Sequence, residues 1–213
     1  MTKKLTIRQV MQSAPVMPVL VIDRADDALP LAEALLSGGL NVVEITLRTS
    51  SALECISTIS KSLPEMVVGA GTVNTVDEMK QVRDRGAQFA VSPGFTENLH
   101  KAALDNDLPW LPGVCSPGEI LQAAECDRHE LKFFPAAQAG GNTFLAALSG
   151  PFQHTVFCPT GGINADSALD YLRLDNVLCV GGSWVTPGKA VKSKDWASIT
   201  KLAKAASELS ATS

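Results

Sequence analysis

The sequence of 213 residues predicts a single α/β domain over residues 1–213, a (β/α)8 TIM barrel with an additional N-terminal helix. Eight short runs of apolar and β-branched residues are each followed by a stretch with apolar residues at three-to-four spacing. This alternation is typical of a parallel sheet covered by helices. An open dinucleotide-binding sheet would carry a GxGxxG motif after its first strand, and the sequence has none there. A closed barrel is therefore favoured.

The predicted elements follow one another along the whole chain. A helix over residues 4–13 precedes the first strand and is expected to cover the N-terminal end of the barrel, and residues 193–209 form the last helix. The eight predicted strands are residues 15–22, 41–47, 66–72, 87–92, 109–113, 130–135, 155–162 and 176–183. The amphipathic stretches between the strands end at glycine or proline, which are common helix stops.

Composition excludes several classes of protein. With 46% hydrophobic and 19% charged residues, the chain resembles one soluble globular domain. A net charge of -4 without a long basic run argues against a nucleic-acid partner. Pro15 and Pro18 interrupt the N-terminal apolar stretch, which also lacks a small-residue cleavage site, so we expect no signal peptide. No window approaches the roughly 18–20 unbroken apolar residues of a spanning helix, so we expect no membrane partner. Five scattered cysteines and three histidines show no metal-ligand spacing, which favours reduced thiols, a cytoplasmic location and no metal.

Lys132 lies in the apolar run ELKFFPAA, where alternation places it with Phe134 on one strand face and Leu131 with Phe133 on the other. The outer face of a barrel strand packs on helices, where a lysine is costly, so we expect Lys132 to point inward. Burial favours the neutral amine, which is the form that attacks a ketone. The alternative is a lysine that reaches solvent or pairs with a carboxylate.

In NVVEITLRTS, the polar residues Glu44, Thr46 and Arg48 share one strand face. A carboxylate beside an amine can move the protons that imine formation requires. Near the end of the same strand, the guanidinium of Arg48 offers a bidentate fork for a substrate carboxylate. The alternative is a structural ion pair between Glu44 and Arg48.

Two glycine-rich turns, CPTGGI (158–163) and CVGGSW (179–184), follow the seventh and eighth predicted strands. In such barrels these loops commonly present backbone N–H groups to a phosphate, and glycine permits its close approach. We therefore predict a phosphate site with the Ser183 hydroxyl nearby and Thr160 between the phosphate and the reaction centre. Glycine turns without a ligand are also common.

Two further turns lie at predicted strand ends. VGAGTV (68–73) puts the hydroxyl of Thr72 beside a backbone that a ligand can approach, and VSPG (91–94) puts Pro93 near the floor of the pocket. Taken alone, such turns are more often structural than functional.

Together, VVEITLRT, VGAGTV, FAVSPG, KFFPA, FCPTGGI and VLCVGGSW resemble the 2-keto-3-deoxy-6-phosphogluconate (KDPG) and 4-hydroxy-2-oxoglutarate (KHG) aldolase family, nearly end to end. The resemblance implies a lyase of carbohydrate metabolism in the Entner-Doudoroff pathway. Such an enzyme cleaves KDPG to pyruvate and glyceraldehyde 3-phosphate, and often KHG to pyruvate and glyoxylate. The family also implies a homotrimer, and the chemistry requires no metal or organic cofactor.

By motif, the resemblance assigns the Schiff base to Lys132, general acid-base catalysis to Glu44, and the pyruvate carboxylate to Arg48 and Thr72. It also implies two further groups of residues. The pocket wall is assigned to Pro93, Phe134 and Thr160. The phosphate site is assigned to Gly161, Gly162, Gly182 and Ser183. The segment 135–142 departs from the pattern and leaves loop details open.

The hypothesis is a class I aldolase in which neutral Lys132 forms an imine with the substrate ketone while Glu44 moves the protons. Two other functions stay open. A phosphosugar isomerase or epimerase would use a carboxylate pair or a metal and needs no strand lysine. A non-catalytic barrel that binds a phosphorylated ligand needs only the phosphate turns. Among aldolase substrates, KDPG, its galacto epimer and KHG differ by single contacts.

Overall fold

The computed structural model describes residues 5–209. This range contains nine β-strands, ten α-helices and one 3-10 helix, Ala25–Asp27. The strands are β1 (Val16–Leu20), β2 (Val42–Thr46), β3 (Val67–Gly71), β4 (Phe89–Val91), β5 (Trp110–Leu111), β6 (Gly113–Val114), β7 (Glu130–Phe133), β8 (Val156–Pro159) and β9 (Val180–Gly182). The α-helices are α1 (Ile7–Met11), α2 (Ala28–Ser37), α3 (Ala52–Ser62), α4 (Val76–Asp84), α5 (Glu97–Asp105), α6 (Pro117–Glu125), α7 (Gly141–Leu148), α8 (Ala165–Leu172), α9 (Gly188–Lys192) and α10 (Trp196–Ser207).

The strands form two parallel sheets. Within the described range, one is a curled six-stranded half-barrel in the order β5-β4-β3-β2-β1-β9, and the other has three strands in the order β6-β7-β8. A strand lies in each of the eight predicted runs, and the fifth run contains β5 and the start of β6. The positions of the strands along the chain agree with the prediction, but the strands do not form the predicted closed barrel.

The prediction of a closed eight-stranded TIM barrel is wrong, because the fifth predicted strand is interrupted at Pro112. Proline has no backbone N–H group and cannot donate to a sheet ladder. The residues before Pro112 form β5, which pairs with β4, whereas the residues after it form β6, which pairs with β7. The six-stranded sheet ends at this proline, and the smaller sheet begins after it.

A second interruption separates β8 from β9. Two isolated bridges join the segments that contain these strands, Phe157 with Val177 and Thr160 with Gly181. Three positions lead from Phe157 to Thr160, but four lead from Val177 to Gly181, so the later segment has one extra residue. An extra residue disrupts the regular ladder between two strands. The strand predicted at residues 176–183 is therefore shortened to β9, Val180–Gly182, which pairs with β1.

The terminal helices are shorter than predicted. The predicted N-terminal helix corresponds to α1, which begins after Thr6 and is stabilised by a capping box between Thr6 and Gln9. Its predicted start at Lys4 lies outside the described residues. The predicted last helix corresponds to α10, whose first turn is capped by the carboxylate of Asp195.

Helix α10 packs on α2 and joins the end of the chain to the first βα unit. A Cβ atom at Gly38 would overlap the side chain of Ala203, so glycine permits this close approach. Thr200 Oγ1 donates a hydrogen bond of 3.1 Å to the carbonyl oxygen of Ala34, and Ser207 Oγ donates one of 2.9 Å to that of Gly38.

A continuous hydrophobic cluster fills the space between the strands and helices. Its largest fully buried side chains include Trp110, Phe89, Phe133 and Phe157. Each such side chain stabilises the fold by about 1.5–3 kcal/mol relative to an exposed position. Between residues 5 and 209, no helix has the length and apolar character needed to cross a membrane.

Candidate active site

The C-terminal ends of the strands surround a cavity of about 230 Å³. The residues singled out in the sequence come from six separate strand ends or loops, yet all of them line this cavity. They are Glu44, Arg48, Thr72, Pro93, Lys132, Phe134, Thr160, Gly161, Gly162, Gly182 and Ser183. The fold therefore assembles the whole candidate site in one place.

Lys132 and Glu44 are in direct contact at the base of the cavity. The Nζ atom of Lys132 lies 3.2 Å from Oε1 of Glu44, and the two residues are 6% and 2% exposed. Lys132 therefore does not reach solvent, and its carboxylate partner is itself a candidate catalytic residue. Groups at this distance can exchange a proton directly.

The alternation of β7 directs Lys132 inward. On the outer face of the strand, Phe133 stacks on Phe144 of α7 with ring centroids 5.7 Å apart. On the inner face, the Nζ atom of Lys132 lies 5.4 Å from the centroid of the Phe134 ring. The ring of Phe134 therefore forms part of the immediate surroundings of the lysine nitrogen.

Gly71 provides the space for the carboxylate of Glu44. The two residues lie on neighbouring strands, β3 and β2, where Gly71 is the register partner of Thr46. A Cβ atom at Gly71 would overlap Oε1, Cγ and Cδ of Glu44. The absence of a side chain at this position therefore determines where the carboxylate can lie.

Arg48 is held by a hydroxyl and not by a carboxylate. Its Nε atom donates a hydrogen bond of 3.3 Å to Oγ1 of Thr46, which in turn donates one of 2.8 Å to the carbonyl oxygen of Leu20. In the described part of the chain, the ion-pair partner of Glu44 is Lys132. The alternative interpretation of a structural pair between Glu44 and Arg48 is therefore wrong.

Thr72 has an unusual backbone conformation, with a φ angle of +60°. A β-branched residue rarely adopts this left-handed region, at a cost of about 1–3 kcal/mol, and such residues cluster at functional sites. The neighbouring N–H group of Val73 donates a hydrogen bond of 3.1 Å to the carbonyl oxygen of Val91. This bond ties the Thr72 turn to the strand that leads to Pro93.

The Pro93 turn is supported from inside the protein. Ser92 is fully buried, and its hydroxyl donates a hydrogen bond of 2.7 Å to the carbonyl oxygen of Gly94. The Oγ atom of Ser92 also accepts a hydrogen bond of 3.1 Å from Nε1 of Trp110. Both capacities of the hydroxyl are used, so the turn that carries Pro93 is held in one orientation.

The first of the two predicted phosphate turns, residues 158–163, has a backbone conformation that only glycine adopts easily. Gly161 and Gly162 have φ angles of +104° and +74°. A Cβ atom at Gly162 would crowd the side chain of Ala137, and one at Gly182 would overlap the ring of Trp184. Backbone N–H groups in such turns can form a concave site for an anion.

Four residues of the cavity wall received no role in the sequence analysis, and they are Val19, Thr46, Ile163 and Gly181. Alternation had placed Thr46 on the correct face, but all five residues of β1 are apolar and buried, so the pattern gave no signal for Val19, the register partner of Glu44. Gly181 is required because a Cβ atom there would overlap Oγ1 of Thr160.

Two buried thiols, those of Cys158 and Cys179, lie close to Lys132 and Glu44. Cys158 is the register partner of Lys132, and its side-chain hydrogen bond with Cys179, together with burial, raises the pKa of Cys179 well above its ordinary value. Both cysteines are 1% exposed or less, which fits the interpretation of small core residues. Across residues 5–209, no group of three or more His, Cys, Asp or Glu side chains is placed to hold a metal ion.

The sequence model of the KDPG and KHG aldolases matches residues 7–202. The chain belongs to the KDPG and KHG aldolase family. Among its relatives, the KHG/KDPG aldolase of Escherichia coli strain K12 is 44% identical over 205 residues, which is 96% of each chain. The 2-dehydro-3-deoxy-phosphogluconate aldolase of Zymomonas mobilis is 48% identical over 202 residues, which is 94% of this aldolase and 95% of the relative.

Solved structures agree with this membership. A KDPG aldolase from Legionella pneumophila, with pyruvate captured at low pH as a covalent carbinolamine intermediate, has 45% identity and a TM-score of 0.94 over 97% of this chain and 100% of that one. A KDPG aldolase of Zymomonas mobilis with 3-phosphoglycerate has 47% identity and a TM-score of 0.92 over 97% of each chain. The predicted family and enzyme class are confirmed: this aldolase is a lyase of the class I, Schiff-base type.

Proposed function

We propose that the protein cleaves KDPG to pyruvate and glyceraldehyde 3-phosphate through an imine on Lys132, within the Entner-Doudoroff pathway. We propose that it also cleaves KHG to pyruvate and glyoxylate. The main support is the buried contact of 3.2 Å between Lys132 and Glu44 at the base of the cavity. The names of the relatives, which are KHG/KDPG and 2-dehydro-3-deoxy-phosphogluconate aldolases, support these substrates.

Imine formation begins when the ammonium of Lys132 transfers a proton to Glu44. The free amine attacks the C2 ketone of the substrate, and Glu44 returns the proton as the carbinolamine loses water. The product is a protonated imine, which withdraws electrons from the bond between C3 and C4. The buried position of both groups limits competing proton exchange with solvent.

Cleavage requires a base at the C4 hydroxyl. Glu44, directly or through a water, removes this proton; the bond between C3 and C4 breaks, and its electrons move to the imine to form an enamine. The aldehyde leaves, Glu44 protonates C3, and water hydrolyses the resulting imine to free pyruvate and Lys132. Each proton removed is returned, so the cycle leaves the enzyme unchanged.

Two anchors orient the substrate in this proposal. Arg48 and Thr72 hold the carboxylate at one end, and the turns that contain Gly161, Gly162, Gly182 and Ser183 hold the phosphate at the other. Pro93, Phe134 and Thr160 form the wall between the two anchors. Binding energy from the two ends positions the bond that breaks.

We further propose that the protein is a homotrimer and works in the cytoplasm. The trimer is implied by the family resemblance, and the five free cysteines fit a reducing compartment. Light scattering after size-exclusion chromatography should give three times the 22.5 kDa mass of one chain. A mass of one or two chains at micromolar concentration would refute the trimer.

The decisive experiment for the mechanism is reduction with borohydride in the presence of pyruvate. Borohydride converts an imine to a stable secondary amine, so peptide mass analysis should find pyruvate attached to Lys132. The Lys132→Ala variant should gain no adduct and should lose cleavage, whereas Lys80→Ala, at an exposed position on α4, should behave as the unsubstituted protein. A folded protein without the adduct, or with the adduct on another lysine, would reject this mechanism.

A further inference from the structure

The hydroxyl of Thr46 is fully committed to two partners. Its Oγ1 atom lies 2.8 Å from the carbonyl oxygen of Leu20, which can only accept, so the single hydroxyl proton points to Leu20. The lone pairs of Oγ1 then face Nε of Arg48, which can only donate, at 3.3 Å. Thr46 is 2% exposed, so water does not compete for either bond.

The bond from Thr46 restrains an exposed side chain. Arg48 lines the cavity and is exposed to solvent, so its long side chain would otherwise occupy many rotamers. With Nε bound to Thr46, the planar guanidinium is fixed in orientation, and its two terminal nitrogens are left for another partner.

The group that restrains Arg48 carries no charge, so it does not offset the attraction of the guanidinium for an anion. A hydroxyl is a neutral acceptor, and among residues 5–209 no ion pair includes Arg48. A carboxylate in place of Thr46 would hold the guanidinium equally well but would weaken its attraction for an anionic ligand.

We propose that Thr46 is a positioning residue for carboxylate recognition, which orients the guanidinium of Arg48 while leaving its full charge for the carboxylate of the keto acid. This inference rests on the proposed function, in which Arg48 binds that carboxylate. Thr46 acts through Arg48 and takes no part in the bond-breaking steps. Its loss therefore affects substrate binding more than turnover at saturation.

The first test is Thr46→Val, which keeps the shape of the side chain and removes the hydroxyl. We expect KM for KDPG to rise about tenfold with kcat changed less than twofold, which corresponds to the loss of one modest hydrogen bond. Thr46→Ser keeps the hydroxyl and should restore KM to within about twofold. Equal effects of the two variants on KM, or a loss confined to kcat, would overturn the proposal.

Thr49→Val is the matched control. Like Thr46, Thr49 lies a few residues after Glu44 in the sequence, and its hydroxyl donates a hydrogen bond of 2.8 Å to a backbone carbonyl, that of Ile22. It has no hydrogen bond with Arg48. Thr49→Val should leave KM unchanged, and its loss of thermal stability should be small because Ser51 Oγ also donates to the carbonyl oxygen of Ile22. If both valine variants raise KM equally, the effect is structural, and Thr46 has no special relation to Arg48.

A double-mutant cycle tests the dependence on Arg48. In an Arg48→Gln background, adding Thr46→Val should change kcat/KM by less than about twofold, because the group that Thr46 positions is already absent. Multiplicative losses would overturn the inference. Arg48→Lys provides a second route that leaves Thr46 intact, since lysine keeps the charge but has no Nε donor. It should raise KM as Thr46→Val does, and an unchanged KM would overturn the inference.

The borohydride experiment separates this inference from the proposed function. An unsubstituted protein that gains no pyruvate on Lys132 would reject the aldolase mechanism as a whole. If the adduct forms and Thr46→Val requires the same pyruvate concentration for half-saturation as Thr49→Val, the mechanism stands and the role of Thr46 is rejected.

Discussion

The carboxylate of Glu44 lies in the space that a side chain at residue 71 would occupy. Gly71 belongs to β3, and the Cβ atom of any other residue there would overlap the carboxylate and its Cγ atom. The position of the Glu44 carboxylate is therefore constrained by a residue that is not part of the cavity wall.

Gly71→Ala should displace the carboxylate of Glu44 and lower kcat about 100-fold, because a shift of about 1 Å in a catalytic group has that effect. Affinity for pyruvate, which depends on other residues, should change much less. Steady-state kinetics and a pyruvate titration would measure both. Gly118→Ala is the control, since a Cβ atom at Gly118 meets nothing within 4 Å. An alanine at position 71 with normal kcat would contradict this account.

Glu44→Gln should separate proton transfer from covalent capture. The amide cannot shuttle protons, so cleavage should fall by about 100- to 10,000-fold, the usual contribution of general acid-base catalysis. Lys132 remains in place, so borohydride should still trap pyruvate, only more slowly. Rapid-quench trapping would measure the rate. The assignment of Glu44 fails if the variant keeps more than about a tenth of the original turnover.

His100 should make the protein less stable in mild acid. Burial first, and then the cations Arg128 and Lys101, lower the pKa of His100 from 6.5, while Glu97 acts in the opposite direction. Arg128 Nε donates to Nδ1 of His100 at 3.1 Å, a bond that requires this nitrogen to be unprotonated. Because the unfolded chain binds the proton more tightly, the free energy of unfolding should fall as the pH decreases below 6.5.

Urea denaturation at pH 7.5 and pH 5.5 would measure this effect. The comparison is with His100→Gln, whose amide can accept the bond from Arg128 at both pH values and which does not titrate. The loss of stability in acid should be smaller in this variant than in the unsubstituted protein. Identical losses would show that other groups cause the acid sensitivity.

Cysteine labelling should divide the five thiols into two groups. Cys115 and Cys126 are partly exposed and should react with a maleimide in the native protein. Cys55, Cys158 and Cys179 are buried. Burial raises the pKa of Cys55, and the hydrogen bond with Cys158, followed by burial, raises the pKa of Cys179. These three should react after unfolding. Rapid native labelling of Cys158 or Cys179 would contradict their placement in the core.

The inward direction of Lys132 and Glu44 could be predicted because strand alternation is a local property. The side chains of Lys132 and Glu44 point inward for the same reason, which is that their neighbours at odd spacing are apolar and pack outward. Their contact at 3.2 Å could not be predicted from alternation, which gives a face but no distance.

Strand closure and steric fit depend on neighbours in space, and the sequence pattern does not report them. Pro112 was visible in the fifth run, but its effect depends on which strands lie on either side of it. Gly71 and Gly181 appeared as ordinary turn glycines, yet each leaves room for a polar side chain of the adjacent segment. Thr46 was placed on the correct face, but its bond with Arg48 required the turn of the backbone after β2.

The break at Pro112 places Glu44 and Lys132 in two separate sheets. Glu44 belongs to the six-stranded sheet and Lys132 to the three-stranded sheet, so no common ladder fixes the spacing between carboxylate and amine. That spacing depends on how the two sheets contact each other at two places. One is the chain break between β5 and β6 at Pro112, and the other is the pair of isolated bridges at Phe157 and Thr160. A small rigid-body shift of one sheet relative to the other would change the distance between Nζ of Lys132 and Oε1 of Glu44, and with it the rate of proton transfer, without breaking any strand.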